Sequence, residues 1–271
     1  MSFSESNSFR RTAVAFALVA FLSAPVYADP RAQIAQAQAD QIDDPFEPVN
    51  RAVFEFNRFL DEIALKPMAA WYGLLPDKAR EGTHNFVGNL KNPWTAVNDI
   101  AQGQPERFGN TLARFFINTL LGFFGTFDPA ARMGFPAHEE DAGQTFAVWG
   151  AGEGPYIMLP VFGPSNLRDT IGFAVDSFLD PVNYVTRRND AEWVAPARSA
   201  VGGVDARHRN WQQIEDLQRQ STDFYATIRR VYVERRRAAI ANRAGGDNIP
   251  VPRMTETDDA PAPGPRAEVP R

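Results

Sequence analysis

The chain has 271 residues, 44% of them hydrophobic, enough for one large domain or two small ones with a sizeable core. A formal net charge of -5 argues against nucleic acid as a partner, which selects a basic face, but leaves membrane contact open because the basic residues are unevenly placed. The lack of cysteine excludes disulfides, thiol catalysis, thiolate metal sites and a thioether-linked lipid anchor within these residues.

Arg10 and Arg11 precede an apolar run over residues 12–22, and Val26-Tyr27-Ala28 then offers small residues where a signal peptidase reads. Residues 1–28 therefore read as a secretory signal peptide cut after Ala28, too short for a transmembrane anchor. The paired arginines fit twin-arginine export, and the strongly apolar segment behind them suits the general pathway equally well. Residues 29–43, rich in Ala and Gln without a sustained apolar stripe, read as a flexible tether.

The folded region is expected over residues 44–243. Asp44 can cap a first turn, with Pro45 at the first helical position and Glu47 completing a capping box. Phe46, Val49, Val53, Phe56, Leu60 and Ile63 follow at helical spacing. Similar helix starts are expected at Asp77, Asn92-Pro93, Asp128-Pro129 and Asp180-Pro181, and helix stops at Gly103, Gly134 and Gly150. The best strand candidate, residues 157–162, contains Pro160. The fold class is all-α, built from many short helices.

Residues 107–127, RFGNTLARFFINTLLGFFGTF, form the most apolar stretch in this region. On a helical wheel Arg107, Asn110, Arg114 and Asn118 share one face, which Gly122 and Gly125 prolong, while Leu112, Phe115, Phe116, Leu120, Phe123 and Phe124 fill the rest. Two readings stand. The stretch is the central helix of a bundle, buried on most sides, or it lies in lipid with its polar stripe facing a protected aqueous path.

Candidate chemistry is sparse. His84, His138 and His208 are far apart and read as ordinary surface or helix residues, with no metal-ligand spacing. Glu139-Glu140-Asp141 reads as a solvated loop leading into an Asp-capped turn. Gly150-Ala151-Gly152-Glu153-Gly154 lacks the Lys-Ser/Thr of a phosphate loop and reads as a hinge, and Ser165 looks like a helix N-cap. Asp169, Asp176 and Asp180 could form a catalytic set, but with one arginine beside them and no histidine they favour packing, capping and ion pairing. An enzyme would lack a nucleophile, a base and a metal.

Four stretches carry a family resemblance: DPFEPVNRAVFEFNRFLDEIALKP (44–67), NFVGNLKNPWTAVNDIAQG (85–103), RFFINTLLGFFGTFDPA (114–130) and GQTFAVWGAGEGPYIMLPVFGPSNLRD (143–169). In this order they resemble the MlaA/VacJ outer-membrane phospholipid transport proteins. The resemblance implies a ring-like, membrane-embedded helical domain on the periplasmic side of the outer membrane, associated with a trimeric porin. It implies passage of phospholipid between that bilayer and a soluble periplasmic phospholipid carrier, with no cofactor and no catalysed reaction. With that family in view, the spacing of Arg107, Asn110, Arg114 and Asn118 makes them lipid-path candidates, facing either the headgroup path or an adjacent helix, since arginine forms charge-assisted bonds to phosphate. Gly150, Gly152, Gly154, Pro155 and Tyr156 become gating-loop candidates, with Trp149, Tyr156 and Phe162 as interfacial aromatics; the alternative is a turn-rich connector packed on the ring. Many members are anchored through a cysteine at the cleavage site. This chain has none, so attachment is expected to rest on its own apolar surface.

Residues 205–243 are expected to form one long helix, with Ile214, Leu217, Ser221, Phe224, Ile228 and Val231 at heptad-like spacing and a basic end at Arg229-Arg230 and Arg235-Arg236-Arg237. Residues 244–271 read as a disordered Pro-rich tail. The alternative to lipid transport is a soluble periplasmic lipid- or peptide-binding module, which would wash off membranes.

Overall fold

The computed structural model describes residues 42–242. The expected signal peptide, most of the tether and the Pro-rich tail lie outside them. The described chain is predominantly helical. It opens with α1 (Glu47–Leu60), which continues through a π-helical stretch, Asp61–Leu65, into α2 (Lys66–Tyr72). Pro67 accounts for the wider turn: it has no N–H to give the residue 63 carbonyl, and its ring crowds that carbonyl. The capping box expected from Asp44 does not form, because the helix begins two residues later without a side-chain cap. Asp44 instead accepts bonds from Asn50 Nδ2 (2.8 Å), Tyr225 OH (2.6 Å) and Arg229 Nη1 (2.7 Å).

The next helices are α3 (Asp77–Ala101), α4 (Pro105–Leu120) and α5 (Pro129–Arg132). Pro93 sits inside α3 rather than at a start; Asn92 is buried and donates to the Asn89 side chain (3.2 Å) in the turn that the proline leaves without its usual bond. Asp77 opens α3 without capping it. Helix α6 (Ala142–Val148) leads to an antiparallel hairpin of β1 (Tyr156–Leu159) and β2 (Gly163–Asn166), with Tyr156 opposite Asn166 and Pro160 in the turn. The hairpin incorporates Ser165, so the N-cap of α7 (Leu167–Leu179) is Asn166, whose side chain accepts from Asp169 N (2.8 Å). Helices α6 and α7 cross closely, a Cβ on Gly172 falling 2.4 Å from the Gly143 nitrogen. Asp128, Asp141 and Asp180 cap helices as expected, and Gly103, Gly134 and Gly150 end them with positive φ.

The single helix expected over residues 205–243 is three: the end of α9 (Val194–Arg209), then α10 (Trp211–Gln220) and α11 (Phe224–Ile240). Helix α8 (Pro181–Arg188) precedes them. The first break is at Asn210, whose side chain bonds back to the Ala206 carbonyl. At the second, Ser221 turns extended and Asp223 caps α11 while pairing with Arg51 of α1 (2.6 Å).

Packing is inverted relative to a protein folded in water. Among the described residues, 20 buried side chains are polar or charged against 11 apolar ones, and 32 large apolar side chains are exposed. The apolar core is a small cluster of Phe54, Tyr156, Met158 and Tyr225. Helix α1 and the π-helical stretch illustrate the inversion: Val49, Phe56, Phe59 and Ile63 face outward, whereas Asn50 and Asn57 face the hairpin. Asn50 donates to the Tyr156 carbonyl (3.0 Å) and accepts from Met158 N (2.9 Å). Asn57 donates to the Leu159 carbonyl (2.9 Å) and accepts from Val161 N (2.7 Å). Two asparagines seven apart thus satisfy a strand edge that a third strand would otherwise cover. No described helix is long and apolar enough to cross a membrane.

Candidate functional site

The polar stripe of α4 faces inward, and its apolar flank faces out. Phe116 is 55% and Leu120 76% exposed, so the expectation of a helix buried on most sides does not hold. The helix also stops at Leu120, leaving Gly122 and Gly125 in the following turn. The stripe closes on residues 128–140. Arg107 pairs with Glu140 (2.7 Å), and Asn110 donates to the Pro136 carbonyl (2.7 Å). Arg114 donates to the Phe135 carbonyl (2.6 Å) and to Asp128 (2.7 Å). Asn118 bridges Asp128 (3.0 Å) and Ala130 N (3.1 Å). Burial would raise the Asp128 pKa, but bonds from Arg114, Ala131 N and Asn118 outweigh it and hold the carboxyl below its ordinary range.

A buried polar network continues from this stripe. Asp99 on α3 is fully buried and accepts from Thr111 (2.6 Å), with His138 at 2.9 Å. Gln102 reaches Glu140 (2.9 Å) and Thr145 (3.1 Å), and Thr145 donates to Asn98 (2.7 Å). His138 is therefore a network member, not a surface residue, and Glu140 is buried, not solvated. Burial pushes the Glu140 pKa up, against the opposing pull of Gln102 and Arg107. Neither residue was legible from spacing, since each partner lies on a different element.

The three carboxylates of α7 and its end point to three different neighbours. Asp169 meets Arg236 (2.7 Å) and Tyr232 (2.5 Å), and Arg236 also forks onto Asp141 with two 2.6 Å bonds. Asp176 accepts from Trp94 Nε1 (2.7 Å) and Ala142 N (3.0 Å). Burial pushes its pKa up to about 6. Asp180 caps α8 and pairs with Arg198 (2.5 Å). Asp169 and Asp180 thus serve in ion pairs and a cap, Asp176 ties α7 to α3 and α6 by hydrogen bonds, and no group of ligands for a metal occurs among the described residues.

Of the hinge residues, Gly150 and Gly154 have positive φ, and a Cβ on Gly150 or Gly152 would meet open space. The segment is fastened at both ends. Trp149 Nε1 donates to the Ala101 carbonyl (2.9 Å), and the Pro155 carbonyl accepts from Leu167 N (3.1 Å). Tyr156 is not an interfacial aromatic: it lies buried in β1, with its ring against Tyr225 and Tyr232. Trp149 and Phe162 are exposed. The structure thus unites the α4 stripe with residues 128–140, while the hinge belongs to a separate cluster with the hairpin and α11.

Residues 42–239 match the family described as MlaA lipoprotein. A protein of Rickettsia bellii is 35% identical over 202 residues, 74% of this chain and 78% of that protein. The "Intermembrane phospholipid transport system lipoprotein MlaA" of Escherichia coli K12 is 34% identical over 198 residues, 71% of this chain and 76% of that protein. A solved structure from work on the "Structural basis for maintenance of bacterial outer membrane lipid asymmetry" superposes with a TM-score of 0.65 at 35% identity, covering 73% of this chain and 98% of that one. With nearly all its described residues matched and its all-helical fold shared, the chain belongs to the MlaA lipoprotein family.

Proposed function

We propose that this protein is the outer-membrane component of an intermembrane phospholipid transport system. In this reading it withdraws phospholipid that has strayed into the outer leaflet and passes it to a soluble periplasmic carrier, next to a trimeric porin. The observation that carries the reading is the inversion: 32 large apolar side chains face out around helices held together by asparagine, arginine and carboxylate contacts. Water would penalise that surface heavily, whereas hydrocarbon accepts it. Polar groups then have to find partners inside, as Asn50, Arg114, Asn118 and Asp99 do. Arg107, Asn110, Arg114 and Asn118 contribute to the wall of a headgroup path by holding residues 128–140 in place, and Gly150, Gly152, Gly154 and Pro155 supply movement where the chain enters the hairpin. In this reading the exposed apolar surface itself holds the protein to the bilayer. The soluble binding module is the competing reading. Alkaline carbonate extraction of cell envelopes separates the two: the protein is expected to remain in the membrane pellet, and phospholipid is expected to co-purify with it in detergent. Full release into the wash without lipid would refute the transport reading.

A further inference from the structure

Two turns expose apolar side chains from a backbone that disfavours them. After α4, Phe123 and Phe124 have φ of 50° and 56°, and Gly125 follows at 90°. At the hairpin tip Val161 has φ of 69°. Left-handed φ is costly for any residue with a Cβ and most unusual for bulky or β-branched ones. Glycine is available to this turn and is used where space requires it. A Cβ at Gly122 would sit 2.4 Å from the Phe127 carbonyl, and one at Gly125 would sit 2.5 Å from Asn89. Positions 123 and 124, where φ alone calls for glycine, instead carry phenylalanines 70% and 67% exposed.

The surroundings hold both turns in this form. Phe124 N donates to the Thr119 carbonyl (3.0 Å), Gly125 N to Asn118 (2.8 Å) and Phe127 N to Gly122 (2.8 Å). At the hairpin tip Asn57 clamps both sides of residue 160. Such over-determined strain points to use of the side chains, since the fold itself gains little from two rings that are mostly exposed and stack on each other. The occupant must be apolar: no charged residue occurs over 115–127 or 154–167. Hydrocarbon accepts such side chains without the polar rim and hydrogen bonds that a protein partner would add.

We propose that residues 121–127 and 160–163 are two wedges that enter the acyl-chain region of the bilayer, with Phe123, Phe124 and Val161 kept in left-handed turns for that purpose. The inference rests on the membrane attachment proposed above and names the elements that make it. The cysteine-free chain allows a single nitroxide label on a Phe124→Cys or Val161→Cys variant, with exposed Glu55→Cys as the aqueous control. In protein-free vesicles of phosphatidylethanolamine and phosphatidylglycerol, labels at 124 and 161 are expected to be relaxed by oxygen and shielded from a water-soluble nickel chelate. A bound chain whose labels stay open to nickel, or become shielded only when a second protein is added, would overturn the wedge assignment while leaving attachment intact. A chain that does not bind the vesicles at all overturns both. As a second measurement, the Phe123→Gly/Phe124→Gly double variant relieves the strain. Its melting temperature in detergent is expected to be unchanged or higher, while partition into vesicles falls at least about 100-fold. A lower melting temperature with unchanged partition would assign the phenylalanines to the fold instead.

Discussion

Arg236→Met removes the cation that ties α11 to α6 and α7. Arg236 forks onto Asp141 and reaches Asp169, and only 16% of its side chain is exposed. Methionine keeps the aliphatic bulk, so the change isolates the charge and its bonds. Breaking a buried pair typically costs about 3–5 kcal/mol, because the abandoned carboxylate stays where water cannot fully solvate it. Asp141 is a third exposed, which lowers its share, and Asp169 keeps Tyr232 and Asn166. A loss of about 3 kcal/mol follows, or roughly 6–12 °C in melting temperature for a domain of this size. Urea unfolding in mild detergent would measure it. The pH dependence adds a second check. Burial opposes ionisation of Asp141, yet Arg236 outweighs it and holds the carboxyl below its ordinary range. The pairing therefore contributes stability above the unfolded pKa of about 4 and loses it as pH falls through the folded value. Arg236→Met should flatten that acid-side decline. A change under about 1 kcal/mol, or an unaltered acid limb, would refute the assignment of Arg236 as a buried tie.

Two further outcomes follow from the same structure. Asn50→Ala leaves Tyr156 O and Met158 N without their partner and should cost about 2–3 kcal/mol in chemical unfolding, more than the substitution of exposed Glu55 by Ala. Asp176 has its pKa raised to about 6, so its ionisation weakens the folded state as pH rises between about 4 and 6. Asp176→Asn can still accept from Trp94 and Ala142, and unfolding curves at pH 7.5 should show it about 1–2 kcal/mol more stable than the parent, with the difference vanishing near pH 4.

The local punctuation of this fold is plain in the sequence. Asp128, Asp141 and Asp180 cap helices, and Gly103, Gly134 and Gly150 end them, because those roles depend on neighbours only a few residues away. The spacing of Arg107, Asn110, Arg114 and Asn118 likewise establishes that they share a face. Which face turns inward is a different question, decided by the surrounding medium, and a wheel drawn for water assigns the apolar flank to the core. Asn50 and Asn57 show the limit well: nothing local marks them as partners of a hairpin about a hundred residues away. The break at Ser221 is hidden for a related reason. The heptad-like spacing runs through it, and the stop is set by Asp223 reaching Arg51 on α1. His138 and Glu140 join the site through contacts with α3 and α4 that no motif encodes.

The central functional claim is tested most directly by surface-accessible phospholipid in cells lacking this protein, compared with cells carrying it. Removal of outer-leaflet phospholipid predicts a rise in the deletion strain that returns to the parental level when the gene is restored. An unchanged level in the deletion strain, with the protein shown to be absent, would contradict it.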